Sequence, residues 1–246
     1  MGWHLRKAMS AAQKAETGFV PTADFSVRVG VCAGCHVGEP GREVDHRLIA
    51  AGHPALRFEL SAYQSEPLYI KHWRGNRGYG PDAEAWEWII GQVGTARAAA
   101  KLLEHRAAEA SVDGKRDWPE LSEYTCFACH QDLAAGGPKA GDRKRIAPPG
   151  RLPWGSWSYS MPLELASGEP AWFAPKSRLE SPAKLAKLFL DNDRPKPTDA
   201  CRSAAAAVGD LDRWLGDLRD ASARSATNSL SPAEIRTALA RTIAFG

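Results

Sequence analysis

Between positions 81 and about 110, apolar residues recur at Trp86, Ile89, Ile90, Val93, Ala96, Ala100, Leu103 and Ala107. This spacing of three and four puts them on one face of an α-helix and predicts one long helix with a single buried stripe. The pattern returns after position 181 in "SPAKLAKLFL". It continues from 198 to about 224, where Leu211, Trp214, Leu215 and Leu218 share a side, and then in "SPAEIRTALARTIAF". Both Ser-Pro pairs read as an N-cap followed by proline at the first helical position, where the missing N–H costs nothing. From 136 to 180 the chain is dense in glycine and proline, which interrupt helices and strands alike, so irregular chain on the surface is expected there. No series of alternating strands is evident. The pattern predicts a mainly α, loop-rich protein in two parts, 1–180 and a C-terminal helical packing segment 181–246.

Composition narrows the function. The 246 residues can bury a substantial core without disulfides. Lysine and arginine number 32 against 29 aspartates and glutamates, a formal +3. That is too mild for the concentrated basic face nucleic acid requires. No apolar run approaches the roughly 20 residues of a membrane span. The N-terminus "MGWHLRKAMSAAQKAE" has early charge but no apolar core of the kind a secretory signal carries.

Four of the five cysteines form two close pairs, and a histidine follows each: Cys32, Cys35 and His36 in "CAGCH", Cys126, Cys129 and His130 in "CFACH". Two thiols separated by two residues can each add to a vinyl group of haem, while the next residue turns beneath the ring to bind iron. A random ordering of this composition would yield on the order of 0.002 such motifs. The arrangement therefore predicts two covalently attached haems c, held by Cys32, Cys35, Cys126 and Cys129, with His36 and His130 as proximal iron ligands. A four-cysteine zinc site fits less well, because the pairs begin 94 residues apart and zinc gives no reason for a histidine after each. A thioredoxin-like redox pair lacks its strand-helix-strand context. Cys201, among alanines, reads as a small buried residue.

Electron transfer suits iron with two axial ligands, so further donors are needed. His46 and His53 lie seven residues apart in "DHRLIAAGHPALRFEL", on about one helix face if that segment is helical. His72 stands beside Trp73. These three are the distal candidates. His105 falls on the polar side of the long helix and reads as exposed, His4 lies in the terminus, and Met161 is a poorer thioether candidate in a tryptophan-rich loop. The nine tryptophans, with Trp154, Trp157 and Trp172 in the proline-rich stretch, suit either a core or the cover of a porphyrin face.

"VCAGCHVGEPGREVDHRLIAAGHPALRFELSAY", "KHW", "YTCFACHQDL" and "PGRLPWGSWSYSM" together resemble the C-terminal part of multihaem cytochromes of the cytochrome c-554 type. The resemblance covers about 25 to 162 in blocks and the last eighty residues only weakly. It implies a loop-rich dihaem domain built around stacked haems, electron transfer as the activity, and other redox proteins or further haem domains as partners. It supports His46, His53 and His72 as ligands and a periplasmic or otherwise extracytoplasmic location. Proteins of that type generally carry further haem motifs upstream and an export signal. Met1 is therefore expected to be an internal methionine of a longer protein, or the chain a processed piece. Gln131 stands where the family often has a second histidine. The rival reading is a multihaem redox enzyme whose five-coordinate haem acts on a small nitrogen or oxygen compound.

Overall fold

The computed structural model describes residues 9–65, 83–112, 116–126, 130, 152–165 and 176–226. The described residues are mainly helical, and the first long helix, α5, runs Ala83–Ser111. All eight apolar positions that define its stripe are buried. The second long helix, α8 (Pro197–Ala226), lies along α5 and buries Ala200, Ala204, Ala207, Leu211, Trp214, Leu218 and Ala221 against it. The segments 1–180 and 181–246 thus contribute to one shared core.

Helix α5 is buried on more than its stripe. Glu87, Gly91, Gly94, Thr95, Leu102 and Arg106 form a second buried line. The small residues in that line admit neighbours. Helix α2 (Phe25–His36), which buries Phe25, Arg28, Val29 and Ala33, comes so near that a Cβ on Gly94 would collide with Val29. A Cβ on Gly91 would lie 2.9 Å from Leu60 Cβ, at the start of α4 (Leu60–Ser65). Preceding these, α1 (Ala11–Glu16) carries a capping box between Ser10 and Gln13, and α2 is capped by Asp24, which accepts from the Ser26 N–H at 2.8 Å.

Three local expectations need correction. His46 and His53 do not share a helix face, because α3 (His46–Ala50) ends before His53. Gly52 has φ 110°, the Gly52 N–H donates to Ile49 O and the His53 N–H to Leu48 O. These are the two bonds of a Schellman stop, with Pro54 following where no helix could continue. Ser181 is not an N-cap either: α7 (Glu180–Asp191) starts one residue earlier, and the Ser181 N–H donates to Asp210 Oδ2 of α8 at 3.0 Å. A carboxylate from another helix supplies the acceptor that a local serine would have supplied. Finally, the glycine- and proline-rich stretch does not simply wrap the surface. Trp154 pairs with Tyr124 in an isolated bridge, Tyr159 is 2 % exposed, and a short helix, α6 (Ser160–Leu165), follows. The segment "SPAEIRTALARTIAF" lies outside the described residues.

Candidate functional site

The first motif occupies the end of α2. Cys32 and Cys35 are three residues apart on that helix, Cys32 half-buried and Cys35 exposed, and His36 is its last residue. Residues at i and i+3 share a face, so both sulfurs leave the helix on one side. The His36 ring stacks on Phe58 (centroids 5.1 Å, 17°) and lies against Tyr63 (4.7 Å). Aromatic contact on the imidazole limits its rotation, which a fixed axial ligand needs.

One turn before Cys32, the buried Arg28 pairs with the buried Glu87 of α5 at 2.9 Å. Arg28 also donates to Thr22 O at 2.8 Å and to Gln64 of α4 at 3.4 Å. Burial pushes the Cys32 thiol up, Arg28 pulls it down, and Cys35 and Glu87 push it further up. Burial also pushes the Glu87 carboxyl up, against the pull of Arg28, and the neighbouring Glu59 and Glu84 add to the rise.

The second motif follows a 3₁₀ turn, Leu121–Glu123. The Thr125 N–H donates to Pro153 O at 2.9 Å, and Tyr124 O–H to Asp193 O at 2.5 Å in the link between α7 and α8. Cys126 is exposed, and the His130 N–H donates to Cys126 O at 3.0 Å, so one helical turn separates them. Cys129 lies outside the described residues, as do His72, His4, Trp172 and Gln131.

Of the distal candidates, His46 is half-buried at the start of α3, and its N–H donates to Glu120 at 2.9 Å. Glu120 also accepts from the Ser122 N–H at 3.0 Å, so one carboxylate ties the His46 segment to the approach of the second motif. His53 is exposed, with Nδ1 2.8 Å from Pro54 O. A carbonyl only accepts, so Nδ1 carries the proton and Nε2 keeps the lone pair a metal ligand needs. His105 is half-buried rather than exposed. Its Nε2 lies 3.7 Å from Glu43 and 3.4 Å from Glu109, a cluster that could hold a metal ion. Arg116 donates to both carboxylates at 3.0 Å and already supplies a positive charge there. Met161 is half-buried on α6.

These segments meet at one cavity of about 380 Å3. Its wall includes Val37, the residue after His36; Val44 and Ile49, which flank His46; Ala55, Leu56 and Arg57, just past His53; and Cys126. The stretch from Gly155 to Ser160 closes another side, with the Arg57 guanidinium 5.5 Å from the ring of the exposed Trp157. Ser122 and Tyr159 are among the lining residues, but their hydroxyl oxygens are buried away from the open space and have no hydrogen-bond partner among the described residues. Such orphaned hydroxyls are uncommon in protein interiors. Burial, with Glu123 adding to it, pushes Tyr159 well above the ordinary tyrosine range.

The same cavity is lined by the buried Arg106, which pairs with Glu43 at 2.8 Å and with Glu123. Burial pushes Glu123 up against the pull of Arg106. Burial pushes Glu43 up as well, but Arg116 and Arg106 together hold it below the usual carboxylate range. The hydrophobic pattern gives no sign of Arg28, Glu87, Arg106 or Glu123, because a charged residue on a helix reads as solvent-facing. The small residues Gly91, Gly94 and Ala98 between Glu87 and Arg106 are the one signal of a packed face.

Comparison of the chain with family models, with curated proteins and with solved structures finds no match.

Proposed function

We propose that this chain transfers single electrons through two covalently bound haems c. Cys32, Cys35, Cys126 and Cys129 would form the thioethers and His36 and His130 would bind iron, with distal ligands drawn from His46, His53 and His72. The observation that carries the reading is the approach to one cavity of four separate stretches: Val37 just after the first motif, Cys126 at the start of the second, Ile49 and residues 55–57 on either side of His53, and the chain from Gly155 to Ser160. Two cofactors attached at such places would lie near each other, as electron exchange between them requires.

The residues present fit the group. Val37, Ile49 and Leu102 supply apolar wall, and each motif places two thiols and an imidazole in one short stretch. Bound haem supplies a reversible one-electron couple whose potential follows axial ligation, burial and nearby charge. Partners would be other redox proteins or further haem domains docking transiently, and the location extracytoplasmic, where haem c is attached. Among the described residues no helix is long and apolar enough to cross a membrane.

The test is the spectrum of haem-loaded protein before and after adding cyanide or carbon monoxide. An electron carrier with both irons six-coordinate gives low-spin bands that neither ligand perturbs. A high-spin band that shifts on addition would transfer the assignment to a redox enzyme with an open iron position.

A further inference from the structure

The Arg28–Glu87 pair has no part in attaching haem, yet it lies deep in the protein one helical turn from the first attachment cysteine. Arg28 is 3 % and Glu87 6 % exposed. The pair spans three elements: Arg28 on α2, Glu87 on α5, and Gln64 of α4 through its contact with Arg28. The same three helices surround the first motif, since α4 also brings Tyr63 against His36. Buried ion pairs are poor contributors to stability compared with apolar residues of similar size, which leaves room for another role.

Resting on the two-haem reading, we propose that Glu87 is a proton acceptor coupled to electron entry at the first haem, so that electron and proton arrive together. The step balances. One electron from a donor redox protein reduces ferric to ferrous iron, and one proton from solvent converts the Glu87 carboxylate to the acid, with no net change in charge within the site. In a medium of low dielectric, adding an unneutralised charge is expensive, and this uptake removes that cost.

Opposed influences meet at Glu87: burial disfavours the carboxylate and the paired guanidinium favours it. Arg28 of α2 favours the carboxylate. Glu59, just before α4, and Glu84, on the same helix as Glu87, disfavour it, as does burial. Glu59 is itself held by Gln92 at 3.1 Å and by Ser61 at 2.9 Å. Cys32 feels the charge of both Arg28 and Glu87, so the site where the porphyrin would be bonded is within electrostatic reach of the titrating group.

The experiment is a spectroelectrochemical titration of haem-loaded protein from about pH 5 to about pH 9, spanning values above the ordinary glutamate range. One of the two one-electron waves should fall as pH rises, by up to a tenfold change in equilibrium constant per unit, which is about 59 mV for one electron. Glu87→Gln should abolish that slope and raise the potential of the same wave, because a negative charge that favours ferric iron is gone. Glu87→Asp should keep the slope over a displaced range. A slope that survives in Glu87→Gln overturns the proposal. Should that variant fail to fold, the infrared difference between oxidised and reduced wild type decides: a protonated-carboxyl band appearing on reduction and shifting in D2O is expected, and its absence overturns the proposal. Haem-loaded protein whose potentials ignore pH refutes this inference alone; protein that takes up no haem refutes the two-haem reading as well.

Discussion

Gly94→Ala tests how closely α2 sits on the core. A Cβ built on Gly94 of α5 meets Val29 Cγ2 at 2.9 Å and Val29 Cβ at 3.2 Å, with Cγ1 closer still. Val29 is 1 % exposed. In a helix interior alanine is favoured over glycine by about 0.8–1.0 kcal/mol. Overpacking a filled core costs about 1–3 kcal/mol, and three close atoms of a β-branched side chain place this site in the upper half of that range. The variant should therefore lose about 1–2 kcal/mol. Val29→Ala alone removes two methyls, about 1.6 kcal/mol of burial before any cavity term. In the double variant the new methyl fills space the old ones left, so the two losses should fall short of their sum by more than the roughly 0.5 kcal/mol scatter of independent sites. Urea denaturation of haem-loaded protein, followed by circular dichroism, measures all four species. The packing argument fails if Gly94→Ala is neutral or stabilising, or if the two changes simply add.

Replacing Cys32 and Cys35 together by serine should halve the haem content measured by alkaline pyridine spectra while the second site still loads. Asp210→Ala removes the acceptor for the Ser181 N–H at the start of α7 and should cost about 1 kcal/mol in urea unfolding. Burial alone would raise the Asp210 carboxyl, but Ser181 and Arg213 together hold it below the usual range. A carboxyl lowered in the folded state contributes fully above its unfolded value and loses that contribution as pH falls through the folded one. The gap between wild type and variant should accordingly close below about pH 3.9. Arg28→Met should cost about 3–5 kcal/mol near neutrality by leaving a buried carboxylate without its partner, whereas Arg28→Met with Glu87→Leu should recover most of the loss. The single variant should also recover stability on acidification, since Glu87 can then take a proton.

Where burial follows apolarity, the sequence was a good guide. The stripe of α5 and, on α8, Leu211, Trp214 and Leu218 are buried as their spacing predicts, with Leu215 partly buried beside them. Legibility fails wherever an element is held by something remote in the chain. Ser181 resembles a cap, but the acceptor comes from Asp210, twenty-nine residues on. The second face of α5 is packed by Gly91, Gly94, Glu87 and Arg106, residues whose hydropathy marks them as solvent-facing. His53 lost its shared face with His46 to Gly52, whose positive φ stops α3. At the candidate site the two Cys-x-x-Cys-His motifs are local and can be read directly. The cavity arises from segments distant in sequence that only folding brings together.

The central claim is covalent haem at two places. It is tested most directly by the intact mass of the chain, expressed with an export signal in a strain carrying the haem maturation machinery, and read beside its alkaline pyridine spectrum. The account predicts a red protein heavier than the polypeptide by two haems, with the mass retained after denaturation. A colourless protein at polypeptide mass, with the thiols of both motifs free or bound to zinc, would contradict it.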